Sequence, residues 1–325
     1  MKKLTLHILE TPPEMLAIEE IQRQVWPGTD RDIVPDHLLL ASVHNGGLVI
    51  GAIEIETPDE AVAQPAQGEL DFLDRNNPPQ HAELVGFVFG FPGLYTTPDG
   101  PRIKHCSHML GVLPAYRDQG LGFKLKRAQW QMVRYQGVDR ITWTYDPLLS
   151  LNAHLNIARL GTVCNTYFRD AYGEMRDEMN RGVPSDRFQV DWWVNSRRVL
   201  RRMSKRPPAP LDLAHYLAAG TPIINPSRAG SDGLPHPAKP DEVAPFTGHS
   251  LMLVEIPADF LALKAADREL AIAWRLHTRS LFEELFQSGY LVTDSVYLPG
   301  AQPRSFYVMT YGEAEIMGVN KTHRP

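Results

Sequence analysis

The stretch His105-Cys106-Ser107-His108-Met109-Leu110-Gly111-Val112-Leu113-Pro114-Ala115-Tyr116-Arg117-Asp118-Gln119-Gly120-Leu121-Gly122 runs from a strand-like segment into a loop with an arginine and two glycines. A helix pattern follows at once. Leu121, Leu125, Ala128, Met132 and Tyr135 recur near helical spacing, which predicts an apolar stripe facing a sheet. Lys124, Lys126, Arg127 and Arg134 then fall on other faces, where cations serve solubility. A strand, a glycine loop and a helix N-terminus together form an anion-binding device. Glycines let backbone N–H groups approach a phosphate, and the helix dipole favours negative charge there. The spacing Arg117-x-x-Gly120-x-Gly122 is neither the dinucleotide fingerprint nor a P-loop. A nicotinamide cofactor or a nucleoside triphosphate is therefore not the first expectation.

Val112-x-Pro114-x-Tyr116-Arg117-x-x-Gly120-x-Gly122 resembles the acyl-CoA signature of the GNAT superfamily of N-acyltransferases. The resemblance implies that backbone amides of Gln119, Gly120, Leu121 and Gly122 grip the diphosphate of coenzyme A, with Arg117 adding charge. It implies that the preceding strand bulges and splays from its neighbour. The freed N–H groups of Val112 and nearby Leu110 would hold the pantetheine arm and polarise the thioester carbonyl. Lys124 or Arg127 would meet the 3′-phosphate. The co-substrate implied is acetyl-CoA or succinyl-CoA, with no metal.

The chain has 325 residues, 43% hydrophobic and 22% charged, a globular composition with ample core. A GNAT domain takes roughly half of that length, so a second unit is expected. The formal charge of −5 argues against general affinity for nucleic acid or anionic membrane. Cys106 and Cys164 have no metal or redox spacing, which fits a reduced, cytoplasmic setting. The N-terminus lacks the apolar run of a signal peptide, and no stretch approaches a membrane span. The partner expected is a small-molecule amine, and the strand edges are compatible with a homodimer.

Periodicity and turn residues predict interspersed strands and helices, an α/β chain of the α+β type, and the GNAT resemblance implies a mixed central sheet flanked by helices. The order is a strand at Leu4–Leu9, helices at Pro12–Trp26 and Asp36–Val43, and a strand at Leu48–Glu56. Residues 57–82 read as a flexible insertion. Strands at Glu83–Phe91 and His105–Val112 follow, joined by a turn-rich Gly93–Arg102. After the long helix come a strand at Arg140–Tyr145, a helix at Leu149–Leu160 stopped by Gly161, and strands at Val163–Ala171 and Phe188–Asn195. This order agrees with the GNAT fold, so residues 1–204 read as the acyltransferase domain. Beyond the proline-rich Lys205–Pro210, residues 205–325 read as a β-α-β-β extension that packs on or completes it, with one long helix at Ala258–Ser288.

Amine acylation needs a base for the ammonium proton and an acid for the leaving thiolate. Family members often carry a carboxylate base on the strand before the loop. No acidic residue occupies it here, so His108, and after it His105, is the candidate base. Strand alternation would put Cys106, His108 and Leu110 on one face and His105, Ser107 and Met109 on the other. The family's acidic tyrosine is replaced by Ile157 in Leu151-Asn152-Ala153-His154-Leu155-Asn156-Ile157-Ala158-Arg159-Leu160-Gly161. Tyr167, Asn156 or water is left as the donor. Asn152 reads as a helix cap or a contact to the pantetheine. Arg187 and Arg304 each precede a strand and are candidates for a bidentate grip on a carboxylate.

The wider arrangement resembles GNAT relatives linked to N-succinylation of amino acids. The function implied is transfer of an acetyl or succinyl group from coenzyme A to a primary amine. The alternatives are a degenerate module that binds acyl-CoA, or a protein-lysine or aminoglycoside acetyltransferase. The run Arg197-Arg198-x-x-Arg201-Arg202-x-x-Lys205-Arg206 reads as a solvated helix face.

Overall fold

A computed structural model describes residues 2–28, 33–56, 82–173 and 182–312. The chain divides into two compact units, Met1–Thr142 and Trp143–Pro325. The expected boundary at 204/205 falls inside the second unit. The expected insertion at 57–82 lies outside the described residues, except for Ala82, which opens a strand.

The first unit contains β1 (Lys2–Ile8), α1 (Pro12–Val25), α2 (Asp36–His44), β2 (Leu48–Glu56), β3 (Ala82–Thr97), β4 (Gly100–Val112), α3 (Leu121–Tyr135) and the start of β5 (Arg140–Tyr145). β1 to β4 form an antiparallel run in chain order, and β5 lies parallel to β4. Pro12 and Pro13 open α1, where a missing N–H costs nothing, and the Glu14 carboxylate accepts the Thr11 N–H at 2.8 Å. Met15, Ile18, Ile21 and Val25 form one helical stripe buried against Leu39, Val49, Phe87 and Phe89. Gly93–Arg102 is not a link. β3 and β4 continue through it as one hairpin, with Leu94 opposite Ile103 and Tyr95 opposite Arg102. The turn is confined to its tip, where Gly100 takes a φ of +109°.

The inner face of α3 also departs from expectation. Tyr135 is 87% exposed, whereas Lys126 and Gln129 are buried beside Leu121, Leu125, Ala128 and Val133. The apolar count alone put the stripe a fraction of a turn away from its true position.

The second unit contains α4 (Ser150–Ala153), which runs on as a π-helical turn over His154–Arg159, then β6 (Val163–Phe168), β7 (Arg187–Trp193), α5 (Arg197–Arg202) and α6 (Leu213–Ala218). A two-residue ribbon, β8 (Arg228–Ala229) and β9 (Pro235–His236), precedes β10 (Leu251–Ile256), α7 (Phe260–Ala266), α8 (Arg268–Gln287), β11 (Tyr290–Leu298) and β12 (Arg304–Tyr311). Its main sheet runs β7-β6-β11-β12-β10, all antiparallel. The C-terminal segment therefore extends a sheet through Val292 opposite Cys164.

The single helix expected at Ala258–Ser288 is two. Asp267 leaves helical geometry at φ −147°, and its carboxylate caps α8 by accepting the Leu270 N–H at 2.9 Å. The basic run is not a plain solvated face. Arg198 donates to the carbonyls of Gly161 (2.9 Å) and Ile157 (3.4 Å) and also to that of Thr293, and Arg202 pairs with Asp294 at 2.7 Å. Gly161 ends the π-helical turn at φ +78°, as expected.

Candidate functional site

The central strand of the site is β4. It pairs with β3 up to Ser107 opposite Gly90 and again from Met109 opposite Phe89, so His108 is the extra residue of a bulge. The bulge swaps the faces of the strand. Before it, His105 and Ser107 bond to Gln129 of α3. After it, Met109 and Leu113 pack with the cluster under α1 and α2. The alternation expected from spacing fails at this point, because one inserted residue inverts everything beyond it. His108 leans on that second face, its ring 6.0 Å from Phe89 and 5.8 Å from Phe91.

β5 pairs with β4 only at His105 opposite Ile141 and Cys106 opposite Thr142. From Ser107 to Val112, β4 has β3 on one side and, among the described residues, no strand of this unit on the other. The Leu113 N–H donates to Val85 O of β3 at 2.9 Å. N–H groups alternate along a strand, so that of Gly111 also faces β3, while those of Leu110 and Val112 face the open edge. The Val112 carbonyl lies on the same edge, where it accepts Arg117 Nε at 3.2 Å.

The loop after β4 begins with a short 3₁₀ turn at Pro114–Tyr116. Tyr116 donates its hydroxyl to Glu54 of β2 at 3.0 Å, which ties the loop to the sheet. Asp118 and Gly120 take left-handed φ values of +60° and +72° on either side of Gln119. Alternating handedness turns successive N–H groups inward to form an anion-sized concavity. α3 starts directly after Gly120, and its first internal bond is Lys124 N–H to Gly120 O at 3.1 Å. The amides of Gly120, Leu121 and Gly122 therefore precede the ladder and point out of the helix end. Lys124 is exposed on the same turn. The Nε of Arg127 is a buried donor without a hydrogen-bond partner among the described residues.

Behind this edge lies a buried polar chain that the sequence reading missed. Lys126 Nζ donates to Ser107 Oγ at 2.7 Å and to Gln129 Oε1 at 3.4 Å. Ser107 Oγ donates to Gln129 Oε1 at 2.8 Å, and Gln129 Nε2 donates to His105 Nε2 at 3.2 Å. All four side chains are at most 5% exposed. Burial, with Lys126 adding to it, drives the His105 pKa down to about 3, and burial pushes the Lys126 amine well below its ordinary value. His105 is thus a structural acceptor, too weak a base for the role expected of it. His108 is exposed at the edge, and partial burial lowers its pKa below that of free imidazole. A signal was present in the sequence. Lys126 and Gln129 are three apart on one helix face, and Ser107 and His105 are two apart on one strand face.

The remaining candidates belong to the second unit. The Tyr167 hydroxyl donates to Asp186 Oδ2 at 2.7 Å, and burial together with that carboxylate raises its pKa far above the ordinary value. Its proton is held rather than poised for release. Asp186 also takes two 2.7 Å bonds from Arg279 and one of 2.9 Å from the Asp170 N–H. Burial alone would raise this carboxyl, but those donors outweigh it and hold the pKa below the usual value. Arg187 is buried, with Nη1 on Asp186 O at 2.9 Å and 3.8 Å from Asp146, and its guanidinium lies 5.5 Å from the Tyr172 ring. Asp146 is gripped on both oxygens by Arg275 at 2.8 and 2.5 Å.

Arg304 is committed elsewhere. It holds Glu255 by two bonds of 2.7 and 2.6 Å, and Ser227 completes that carboxylate's shell. Asn152 lies within α4 and is not its cap, since Leu149 holds that position. The Asn156 amide oxygen accepts Trp143 Nε1 at 3.2 Å. Ile157 is fully buried.

No protein-family profile matches this chain, and no curated protein matches it. Among solved structures, it is similar to NAA60 of Arabidopsis thaliana in complex with acetyl-CoA, at 17% identity and a TM-score of 0.40, over 60% of this chain and 100% of that one. It is also similar to a protein of Desulfovibrio desulfuricans assigned to the GNAT acetyltransferase family, at 14% identity and a TM-score of 0.39, over 59% of this chain and 99% of that one. A third is an aminoglycoside acetyltransferase from an uncultured soil metagenome, at 16% identity and a TM-score of 0.31, over 44% of this chain and 78% of that one.

Proposed function

We propose that the chain is an acyl-CoA-dependent N-acyltransferase of the GNAT superfamily that moves an acetyl or succinyl group directly from coenzyme A to a primary amine, an amino acid among the candidates. The observation that carries the reading is the pairing of an unfilled strand edge with an anion-sized loop. Coenzyme A has a diphosphate and, beyond it, an extended arm with two amides. The amides of Gln119, Gly120, Leu121 and Gly122, with Arg117, suit the diphosphate. The outward N–H groups of Leu110 and Val112 suit the arm. Lys124, exposed, and Arg127, half-buried, are the cations offered to the 3′-phosphate.

When bound, the thioester supplies an acyl carbon open to attack by a free amine. The residues of this chain then have two tasks. A strand-edge N–H polarises the carbonyl in a position fixed before the reaction. His108, kept neutral at pH 7 by its lowered pKa, takes the proton of the acceptor's ammonium. Neither arginine is offered to an acceptor carboxylate: Glu255 already holds Arg304, and Arg187 is buried on Asp186 O and 3.8 Å from Asp146.

A second reading, binding without turnover, is favoured by one observation. The position of the usual proton donor is a buried isoleucine, and the nearest substitute by chemistry, Tyr167, gives its hydroxyl to Asp186. Titration calorimetry with acetyl-CoA and succinyl-CoA tests the first step, and thiol release against a panel of amines tests the second. Heat from neither compound removes the assignment. Heat without thiol release from any amine establishes the second reading.

A further inference from the structure

We propose that the acceptor is a monoamine with an aryl or bulky apolar body, seated beside His108 against Trp26 and Phe91 on the α1–α2 side of β4. This rests on the acyl-CoA reading for the reaction and adds to it the class of amine.

The two faces of β4 decide the direction of approach. On one face, His105 and Ser107 are buried and bonded to Gln129 of α3, so access from that side is closed. His108 is exposed and leans toward the other face. An amine that gives its proton to His108 therefore arrives over the α1–α2 side.

Aromatic rings line that side. The period of β3 puts Phe87, Phe89 and Phe91 on one face, and all three pack in the cluster under α1 and α2. His108 meets Phe89 edge-on at 6.0 Å and Phe91 at 5.8 Å. Trp26, at the end of α1, meets Phe87 edge-on at 6.1 Å. Its indole also lies over the bare backbone of Gly111, where a Cβ would come within 3.2 Å of it. Gly111 sits between Leu110 and Val112, the residues whose amides face the open edge. Phe87 and Phe89 are buried, whereas Trp26 and Phe91 are half-buried and keep ring surface within reach of a ligand.

The same side is poor in charge. The His108 imidazole is shifted by burial alone, with no contribution from a neighbouring carboxylate or cation among the described residues. A single ammonium fits such a place, because ring faces attract it and His108 then takes its proton. A second ammonium, or a carboxylate, would be desolvated against the rings with no opposite charge to meet it. An aryl group gains burial and ring contacts that a short alkyl chain lacks.

The test uses the full-length protein and the variants Phe91→Leu and Trp26→Leu, which keep apolar side chains at half-buried positions. Calorimetry with acetyl-CoA comes first and should give the same affinity for wild type and variants. Thiol release is then compared for phenethylamine, butylamine, phenylalanine and the aminoglycoside kanamycin. In the wild type, kcat/KM for phenethylamine should exceed that for each of the others by at least about tenfold. Each variant should cut the ratio of phenethylamine to butylamine several-fold; a merely structural role would lower both rates together. Equal rates for phenethylamine and butylamine, or a preference for phenylalanine or kanamycin, overturn the proposal and leave the acyl-CoA reading standing. Should a variant not fold, the wild-type panel decides by itself.

A second measurement needs no turnover. The nuclear magnetic resonance signals of the His108 ring, assigned by their absence from His108→Gln, are followed with and without coenzyme A. Phenethylamine should move them at concentrations where butylamine leaves them in place. If acetyl-CoA does not bind, the acyl-CoA reading falls, and if no amine is turned over, binding alone remains. In both cases His108 signals indifferent to phenethylamine overturn the proposal, and signals that move with it alone uphold the aryl site.

Discussion

His108 is the one imidazole of β4 that remains exposed, and the Phe89–Phe91 pair against which it leans lowers its pKa from 6.5. A base works in its deprotonated form, so the acid limb of the pH–rate profile is expected below pH 6.5, with a plateau by neutrality. His108→Gln should remove that limb and lower kcat by about 10²- to 10⁴-fold, the range for a lost general base. A limb that persists in the variant would assign the proton to another group.

Stability provides a separate check at the same scale. The folded state keeps His105 and Lys126 less protonated than the unfolded chain does. Stability should then fall as the pH drops from 6.5 toward 3 through His105. It should climb with pH in the alkaline range below 10.5 through Lys126, by at most about 1.4 kcal/mol per pH unit. Thermal melts of Lys126→Met should lose the alkaline rise and keep the acid fall.

At the scale of elements, the joint between β3, β4 and α3 is tightly constrained. A Cβ on Gly90 would overlap the His105 ring and come within 2.6 Å of Cys106 O. Gly90→Ala should therefore destabilise the fold by about 1–3 kcal/mol, as overpacking does, and should free Gln129 from His105; a denaturant midpoint equal to the wild type's would contradict this.

The loop Tyr116–Gly122 was legible in the sequence as a turn that leads into a helix, because glycine spacing announces such backbone geometry. So were α1 and the order of strands, since their apolar periods are regular. The bulge at His108 was not, because a single inserted residue leaves no mark in a period-two pattern. Nor was the inward Lys126, because a cation is counted as surface until its partners, Ser107 and Gln129, are known to face it. Asp267 likewise reads as one polar residue in a long helix, yet it ends α7 and caps α8.

At the scale of the whole molecule, two carboxylates organise the second unit. Asp146 and Asp186 come from the middle of the sequence, and the arginines that grip both oxygens of each, Arg275 and Arg279, come from α8. Removing one member of a buried pair leaves a charge without compensation, at about 3–5 kcal/mol. Arg275→Met should lower the melting temperature sharply, whereas Arg275→Met combined with Asp146→Leu should recover much of the loss. A double variant as unstable as the sum of its singles would show that the two side chains act independently.

The sheet of this unit carries the same long reach, with β6 meeting β11 at Cys164 and Val292. A chain leaving the ribosome exposes its N-terminal portion first. Residues up to 142 can close on themselves while translation proceeds, but β6 and the two aspartates must wait for at least 93 further residues before their mates emerge. The maturation of this protein is thus timed by its last third, and an arrested or truncated product would present an orphaned strand and stranded acidic groups to the quality-control machinery of the cell.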